Sequence, residues 1–216
     1  MKTDKTKQAE WHKQRSKGIG GSDCAAILGK NPYMTNVELW EIKTGRKQQA
    51  DISDKPCVQF GVQAENHLRE LFKLDYPEFE VIYEPYNNNA NPQYDFIRGS
   101  FDGRLIEKAT GRKGILEIKT TNILQSMQKE KWNDQIPDNY FCQLLHYFLV
   151  DPTAEFAILK ARLRYEYESR VRATIRHYVF RREDYEQDLN YLLAEEIKFW
   201  DAVVNDRRPD LILPPI

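Results

Sequence analysis

At 216 residues the chain is long enough for one domain with a sizeable core. Its content, 41% hydrophobic and 30% charged, is that of a folded globular protein, and no apolar run approaches the roughly 18 residues of a membrane span. A net charge of −1 does not announce a nucleic-acid binder by bulk charge, so such a role would rest on how charge is distributed. There is no basic segment followed by an apolar signal core, so the expected setting is the cytoplasm.

In chain order, Lys5 to Arg15 reads as a polar helix that packs Trp11. The run Arg15-Ser16-Lys17-Gly18-Ile19-Gly20-Gly21-Ser22-Asp23 leads into a short apolar helix, Cys24 to Leu28, for which Ser22 reads as the N-cap. A helix start behind a Gly-rich turn offers free N–H groups to an anion, and Arg15 would add a bidentate contact. On the residues alone, Ser22 as a simple cap and Gly20-Gly21 as a simple turn explain the segment as well. Thr35-Asn36-Val37-Glu38 is a capping box opening a helix from Val37 to Lys43, which Gly45 ends. Lys47 to Lys55 reads as an exposed loop. A long helix follows, from about Val58 to Tyr76, with Phe60, Leu68, Leu71 and Phe72 as its apolar stripe and Glu65 four residues after Gly61.

Tyr86 to Gln93 is a turn rich in Asn, and Tyr94 to Phe101 is a candidate strand that ends at Asp102. Gly114 to Lys119 reads as a buried strand. Side chains alternate along a strand, so Glu117 and Lys119 point one way and Ile118 the other. Asn122 to Trp132 is a helix or a mobile loop. A further helix begins after Pro137-Asp138 and ends before Asp151-Pro152, with Gln143 and Tyr147 sharing a face. Two alternating runs, one carrying Lys160, Arg162 and Arg164 and the other Arg170, Arg172 and Arg176, read as a hairpin turning near Glu166 to Ser169. With all six basic side chains on one face, that hairpin would track phosphates, although a charged outer sheet face is an equal reading. Arg182 to Val204 is an amphipathic helix built on Tyr185, Leu189, Leu192, Leu193, Ile197 and Trp200, and the tail is apolar and Pro-rich. The expected organisation is one α/β domain, 1–216, with a helical N-terminal segment over about 1–45, a core over about 56–206 and a tail over 207–216.

Asp102 and Glu117 are hard oxygen donors of the kind Mg²⁺ takes, and a lysine beside them suits a transition state that accumulates negative charge. An Asp followed by Glu-x-Lys on a strand is therefore a compact way to build a metal-dependent phosphodiester-cleaving site. The three cysteines, Cys24, Cys57 and Cys142, are far apart and read as free thiols, and the four histidines are scattered.

The order Gly61-x-x-x-Glu65, Asp102, Glu117-x-Lys119 and Gln143-x-x-x-Tyr147 resembles the PD-(D/E)xK nuclease superfamily, in its branch of RecB-type and lambda-exonuclease-type nucleases. With Arg15 to Asp23, Ala25 to Gly29 and Leu39 to Gly45 added, the chain looks like the YqaJ family of viral recombinases, over about Arg15 to Val150. The resemblance implies a restriction-endonuclease-like core with a mixed central sheet flanked by helices. It implies Asp102 and Glu117 as metal ligands, the Ile118 carbonyl as a third oxygen, and Glu65 reaching a metal directly or through water. Lys119 would be the catalytic lysine, Gln143 and Tyr147 would line the site, and Arg15 and Ser22 would hold the 5′-phosphate of a DNA end. The implied activity is a Mg²⁺-dependent (with Mn²⁺ substituting) 5′→3′ exonuclease on duplex DNA ends, leaving 3′ single strands for phage-type recombination. A trimeric ring, a single-strand annealing partner, and a phage or prophage origin in a bacterial host come with it. Three cysteines cannot supply the four-cysteine iron–sulfur cluster of some RecB-type relatives, so none is expected. Ser100-Phe101 stands where the superfamily name has Pro, and Leu145 departs from the Gln-x-Gln common in the family. A structure-specific or restriction-like endonuclease and a catalytically silent DNA-end-binding protein remain the alternatives.

Overall fold

The computed structural model describes residues 4–123, 126–167 and 170–213. The first helix, α1 (Asp4–Arg15), is tied down by Trp11, whose indole N–H donates to the Asn87 carbonyl at 2.9 Å and to Ser100 Oγ at 3.2 Å. A single buried turn, α2 (Cys24–Ile27), precedes α3 (Asn36–Lys43). The capping box forms as expected, with Thr35 Oγ1 accepting from the Glu38 N–H at 3.2 Å. Gly45 supplies the left-handed residue (φ +76°) that ends α3.

The long helix α4 (Pro56–Asp75) starts two residues before the expected boundary, because Pro56 occupies its first turn. Its buried stripe also differs from the expected one. Leu68 and Phe72 are buried, whereas Phe60 and Leu71 are 41% and 37% exposed. The packed surface instead climbs from Gly61 through Ala64 to Leu68 and Phe72, small residues first. Gly61 suits that close approach, since a Cβ would lie 3.2 Å from Thr120 Oγ1, a tight contact.

The central sheet contains β1 (Phe79–Ile82), β4 (Gly103–Glu107), β5 (Lys113–Ile123), β6 (Phe156–Tyr167) and β7 (Arg170–Arg181), side by side in that order. Only β5 and β6 pair in parallel, so the sheet is mixed, as expected. The crossover between them runs through α5 (Ser126–Glu130) and α6 (Asp138–Val150), consistent with the need of parallel neighbours for a long connection. Residues 124–125, 168–169 and 214–216, which fall in the expected 122–132 segment, hairpin turn and tail, lie outside the described residues.

Tyr94 to Phe101 does not form the expected strand. Asn91 Oδ1 accepts from the N–H groups of Gln93 and Tyr94, both at 2.8 Å, and this side-chain turn bends the chain. Only β2 (Asn89–Ala90) and β3 (Arg98–Gly99) pair there, as a two-residue ladder. Asp102 therefore stands at the mouth of β4 rather than at the end of an earlier strand.

The largest core cluster is centred on α6, which is buried from Cys142 to Val150 between the sheet and α7 (Glu186–Val204). A 3₁₀ turn, Arg182–Tyr185, precedes α7. That helix buries Leu189, Leu192 and Phe199 together with the carboxylate Glu196. Phe199 shares a core cluster with Ile19, Ile27, Leu39 and Trp40, and the Trp40 indole N–H donates to the Ala202 carbonyl at 3.2 Å, so the N-terminal segment packs onto the C-terminal helix. Among the described residues no helix is long and apolar enough to cross a membrane.

Candidate active site

The site is built at a break in strand pairing. The β4 strand runs beside β5 only from Lys113 to Leu116, so from Glu117 onward β5 has a free edge. Asp102 fills that edge, and its Oδ2 accepts the Ile118 N–H at 2.8 Å. In an extended strand the N–H and C=O of one residue leave on the same side. The Ile118 carbonyl therefore opens on the edge that carries Asp102.

Glu117 and Lys119 project toward α6, as their spacing predicts. Glu117 is 3% exposed, and its Oε1 lies 2.6 Å from Lys119 Nζ. It also accepts from Gln143 Nε2 at 2.8 Å. Gln143 Nε2 reaches Tyr147 Oη at 2.7 Å, and that hydroxyl donates to the Ser100 carbonyl at 3.0 Å. The i, i+4 pair on α6 thus forms a hydrogen-bonded wall behind Glu117, in accord with their shared face. Glu117 Oε2 is buried and has no hydrogen-bond partner among the described residues.

Glu65 arrives from α4. Its Oε1 accepts from Arg69 Nη2 at 2.6 Å, and Arg69 Nε donates to the Asp102 carbonyl at 3.0 Å. Arg69 is 2% exposed and lies 3.3 Å from the Tyr83 ring centroid. The sequence reading missed it. Its signal was the Glu–Arg spacing of four on a helix, a pattern too common on surfaces to single out.

Electrostatics follow from this crowding. Burial, then the charges of Glu117 and Glu65, push the Asp102 carboxyl well above the usual range, against the pull of Lys119. Burial opposes charge on Lys119, but Glu117 and Asp102 outweigh it and hold the lysine up to about 12. Burial and the same two carboxylates raise Tyr147, which stays a neutral hydrogen-bond donor.

Arg15 shares a small hollow with Gly21, Arg98, Ser100 and Tyr147, next to this wall. Gly21 presses against α6, where a Cβ would lie 2.7 Å from Tyr147 Cε1 and 3.0 Å from Gln143 Cγ. Ser22 is exposed in the same turn, but it is not the expected N-cap. The capping position belongs to Asp23, whose Oδ2 accepts the Gly20 N–H at 2.9 Å and pairs with Lys43 Nζ at 2.7 Å. The carboxylate organises the loop, which leaves the Ser22 hydroxyl uncommitted to α2.

The six basic hairpin residues do not share a face. Lys160 pairs with His177, Arg162 with Ile175 and Arg164 with Ala173, whereas Arg170, Arg172 and Arg176 lie opposite Tyr167, Tyr165 and Ala161. Directly paired residues point the same way, so the two trios point to opposite sides of the sheet. Lys160 is fully buried and pairs with Asp75 at 3.1 Å, and Arg176 donates to the Trp132 carbonyl. A single six-residue tracking face is thereby ruled out.

His146 joins Cys24 and Glu196 in a buried trio, the one group of at least three His, Cys, Asp or Glu ligand atoms within 4.8 Å of one another among the described residues. Both of its ring nitrogens are engaged, Nδ1 with Glu196 Oε1 at 2.7 Å and Nε2 with the Arg98 carbonyl at 2.8 Å. Burial works against its charge, but Glu196 prevails and raises it. It reads as a polar joint between α6 and α7. Cys24, Cys57 and Cys142 are free thiols, as expected.

The family model described as the YqaJ-like viral recombinase domain matches residues 10–155, which include Arg15, Ser22, Glu65, Asp102, Glu117, Lys119, Gln143 and Tyr147. The chain belongs to the YqaJ-like viral recombinase family. The protein described as "Uncharacterized protein YqaJ" from Bacillus subtilis (strain 168) is 30% identical over an alignment 216 positions long, which covers 97% of this chain and 61% of that protein. The chain thus spans about three fifths of that relative's length. In fold it resembles the alkaline exonuclease LHK-Exo of Laribacter hongkongensis, with a TM-score of 0.62 and 15% identity over 93% of this chain and 96% of that one. The same exonuclease in complex with dAMP matches with a TM-score of 0.61, at the same identity and coverage.

Proposed function

We propose that this chain is a metal-dependent DNA exonuclease that hydrolyses one strand of a duplex from its end. The observation that carries the reading is the convergence of Asp102, Glu117 and Lys119 on the free edge of β5, backed by Gln143 and Tyr147. The donor set fits a hard divalent cation. Glu117 Oε2 is buried without a partner, Asp102 is crowded by like charge, and the Ile118 carbonyl opens beside them. Two carboxylates and a carbonyl suit Mg²⁺, which usually keeps several waters and needs only one or two protein carboxylates. Asp102, Glu117 and the Ile118 carbonyl would hold the ion, with Glu65 reaching it after rotating from Arg69. The chemistry a bound Mg²⁺ supplies is Lewis acidity toward a phosphoryl oxygen.

The chain's own groups have separable tasks. Lys119, whose Nζ lies 2.6 Å from Glu117 Oε1, would donate to developing phosphoryl charge or orient the attacking water. Gln143 fixes the rotamer of Glu117 through its Nε2, and Tyr147 braces Gln143 against the Ser100 carbonyl. Arg15, beside Gly20, Gly21 and Tyr147, would pair with a terminal phosphate, with the exposed Ser22 in the same turn. Arg15 in that position supports attack from a 5′-phosphorylated end and a 5′→3′ direction. The dAMP held by the Laribacter enzyme is the kind of product such a reaction releases. A homotrimeric ring, an annealing-protein partner, a role in phage-type recombination and a cytoplasmic setting belong to the same reading.

The test is digestion of linear duplex DNA with 5′-phosphate or 5′-hydroxyl ends, beside closed circular DNA, in Mg²⁺. Loss of the linear DNA alone, faster with the phosphate, is the expected result. Cutting of the circle would replace the exonuclease with an endonuclease, and binding without cleavage would leave an end-binding protein.

A further inference from the structure

Beyond the carboxylate edge lies a second feature that the catalytic reading does not use. A cleft of about 280 Å³ opens between the start of α4 and the strands β5 and β6, lined by Phe60, Thr120, Asn122, Arg162 and Arg164. Strand register explains its composition. Thr120 lies beside Arg162 and Asn122 beside Arg164, so these four side chains share the sheet face that looks toward α4. Gly61, resting on Thr120, lets the helix come close enough to wall the cleft.

Three observations point to an anion. Arg162 Nη1 is buried with no hydrogen-bond partner among the described residues, although a guanidinium so placed ordinarily finds an acceptor. Pro56 and Cys57 bring the N-terminus of the 20-residue α4 into the cleft, and that end has neither a side-chain cap nor an acidic residue in its first turn. A helix start of that kind favours negative charge. Arg164 adds a further positive charge on the same face. A fourth observation narrows the class. Phe60 is 41% exposed at the cleft, and the Arg162 guanidinium carbon lies 5.1 Å from its ring centroid. An exposed aromatic ring beside an unsatisfied arginine is the pairing that takes a nucleobase by stacking and its phosphate by charge.

On α4 the cleft adjoins Glu65. Gly61 and Glu65 are one helical turn apart on the same face of α4. Along β5, Asn122 lies about 13 Å beyond Ile118 on the same face, a span that stacked nucleotides rising 3.4 Å each cover in about four steps. We infer that this cleft is a binding subsite for single-stranded DNA a few nucleotides from the scissile bond, with Arg162 on a phosphate and Phe60 under a base. The inference rests on the preceding reading only in taking DNA as the ligand.

The experiment is fluorescence titration of the full chain with a short 5′-phosphorylated single-stranded oligonucleotide containing 2-aminopurine, in EDTA so that nothing is cleaved. Wild type, Arg162→Gln, Arg162→Lys and Phe60→Leu are compared over a range of salt, with thermal melting to confirm that each is folded. Arg162→Gln should lower the slope of log affinity against log salt by about 0.7, the share of one single-strand phosphate, and Arg162→Lys should keep it. Phe60→Leu should abolish the quenching of 2-aminopurine and weaken binding about five- to 150-fold. Unchanged slope in Arg162→Gln, or unchanged quenching in Phe60→Leu, overturns the subsite. Digestion of linear duplex by the wild type in Mg²⁺ is run in parallel. A wild type that cleaves while the variants bind as it does overturns the cleft and leaves the nuclease. A wild type that does not cleave, with the variants impaired in binding, removes the nuclease and leaves the cleft as a DNA site.

Discussion

Lys119 and Lys160 sit on neighbouring strands of one sheet, the first largely and the second wholly removed from bulk water, and they face opposite sides. Lys119 is 23% exposed at the free edge of β5, beside Glu117 and within the field of Asp102. Lys160 is fully buried against Phe72 and has one partner, Asp75, at the end of α4 and 41% exposed. Burial of charge is common to both, so burial does not mark the site. The difference is the surroundings. Around Lys119 two carboxylates, Glu117 and Asp102, meet where a strand has lost its neighbour, the place of the proposed substrate. Around Lys160 one carboxylate closes the end of a helix and nothing is left open.

Substitutions sharpen that contrast. Lys119→Ala should lower the rate of DNA cleavage about 10²- to 10³-fold, the typical loss of one preorganised donor. The variant is assayed below its melting transition, and a comparable loss in Lys160→Met would erase the contrast. Asp75→Ala leaves the buried Lys160 ammonium without its partner. It should cost about 1–3 kcal/mol in denaturant unfolding, below the 3–5 kcal/mol of a fully buried pair because Asp75 is 41% exposed. Cleavage by that variant, assayed below its melting transition, should stay near the wild-type rate.

The His146–Glu196 joint gives a pH signature distinct from the site. Its folded-state value lies above the ordinary 6.5, so its stabilisation is complete below 6.5 and is lost as pH rises through the raised value. The melting temperature of the wild type relative to His146→Gln should therefore fall over that window. A difference that grows with pH would mean that the histidine is held neutral. The smallest effect belongs to Lys160→Met, which exchanges an ion pair for apolar volume and should change stability by less than about 1 kcal/mol in either direction.

These contrasts also separate what local pattern reveals from what it hides. The pairing of Glu117 with Lys119 follows from strand alternation, and that of Gln143 with Tyr147 from helix period; both depend on neighbours in the chain. Asp102 was legible as a residue, but its position was not, because the turn made by the Asn91 side chain removed the strand expected to deliver it. The basic hairpin shows the limit most clearly. Alternation within each strand is as expected, but register between them depends on the turn, and a slip of one residue exchanges the faces. Glu196 went unseen because a carboxylate on the apolar stripe of α7 makes sense only once His146 is opposite it.

The central claim is that Asp102 and Glu117 hold the ion that makes this chain a nuclease. The most direct measurement is calorimetric Mg²⁺ binding together with cleavage of 5′-phosphorylated linear duplex, for wild type and Asp102→Asn, each shown to be folded by circular dichroism. The account predicts that the wild type binds the ion and degrades the DNA, and that the folded variant does neither. A folded Asp102→Asn that binds Mg²⁺ and cleaves like the wild type would contradict it.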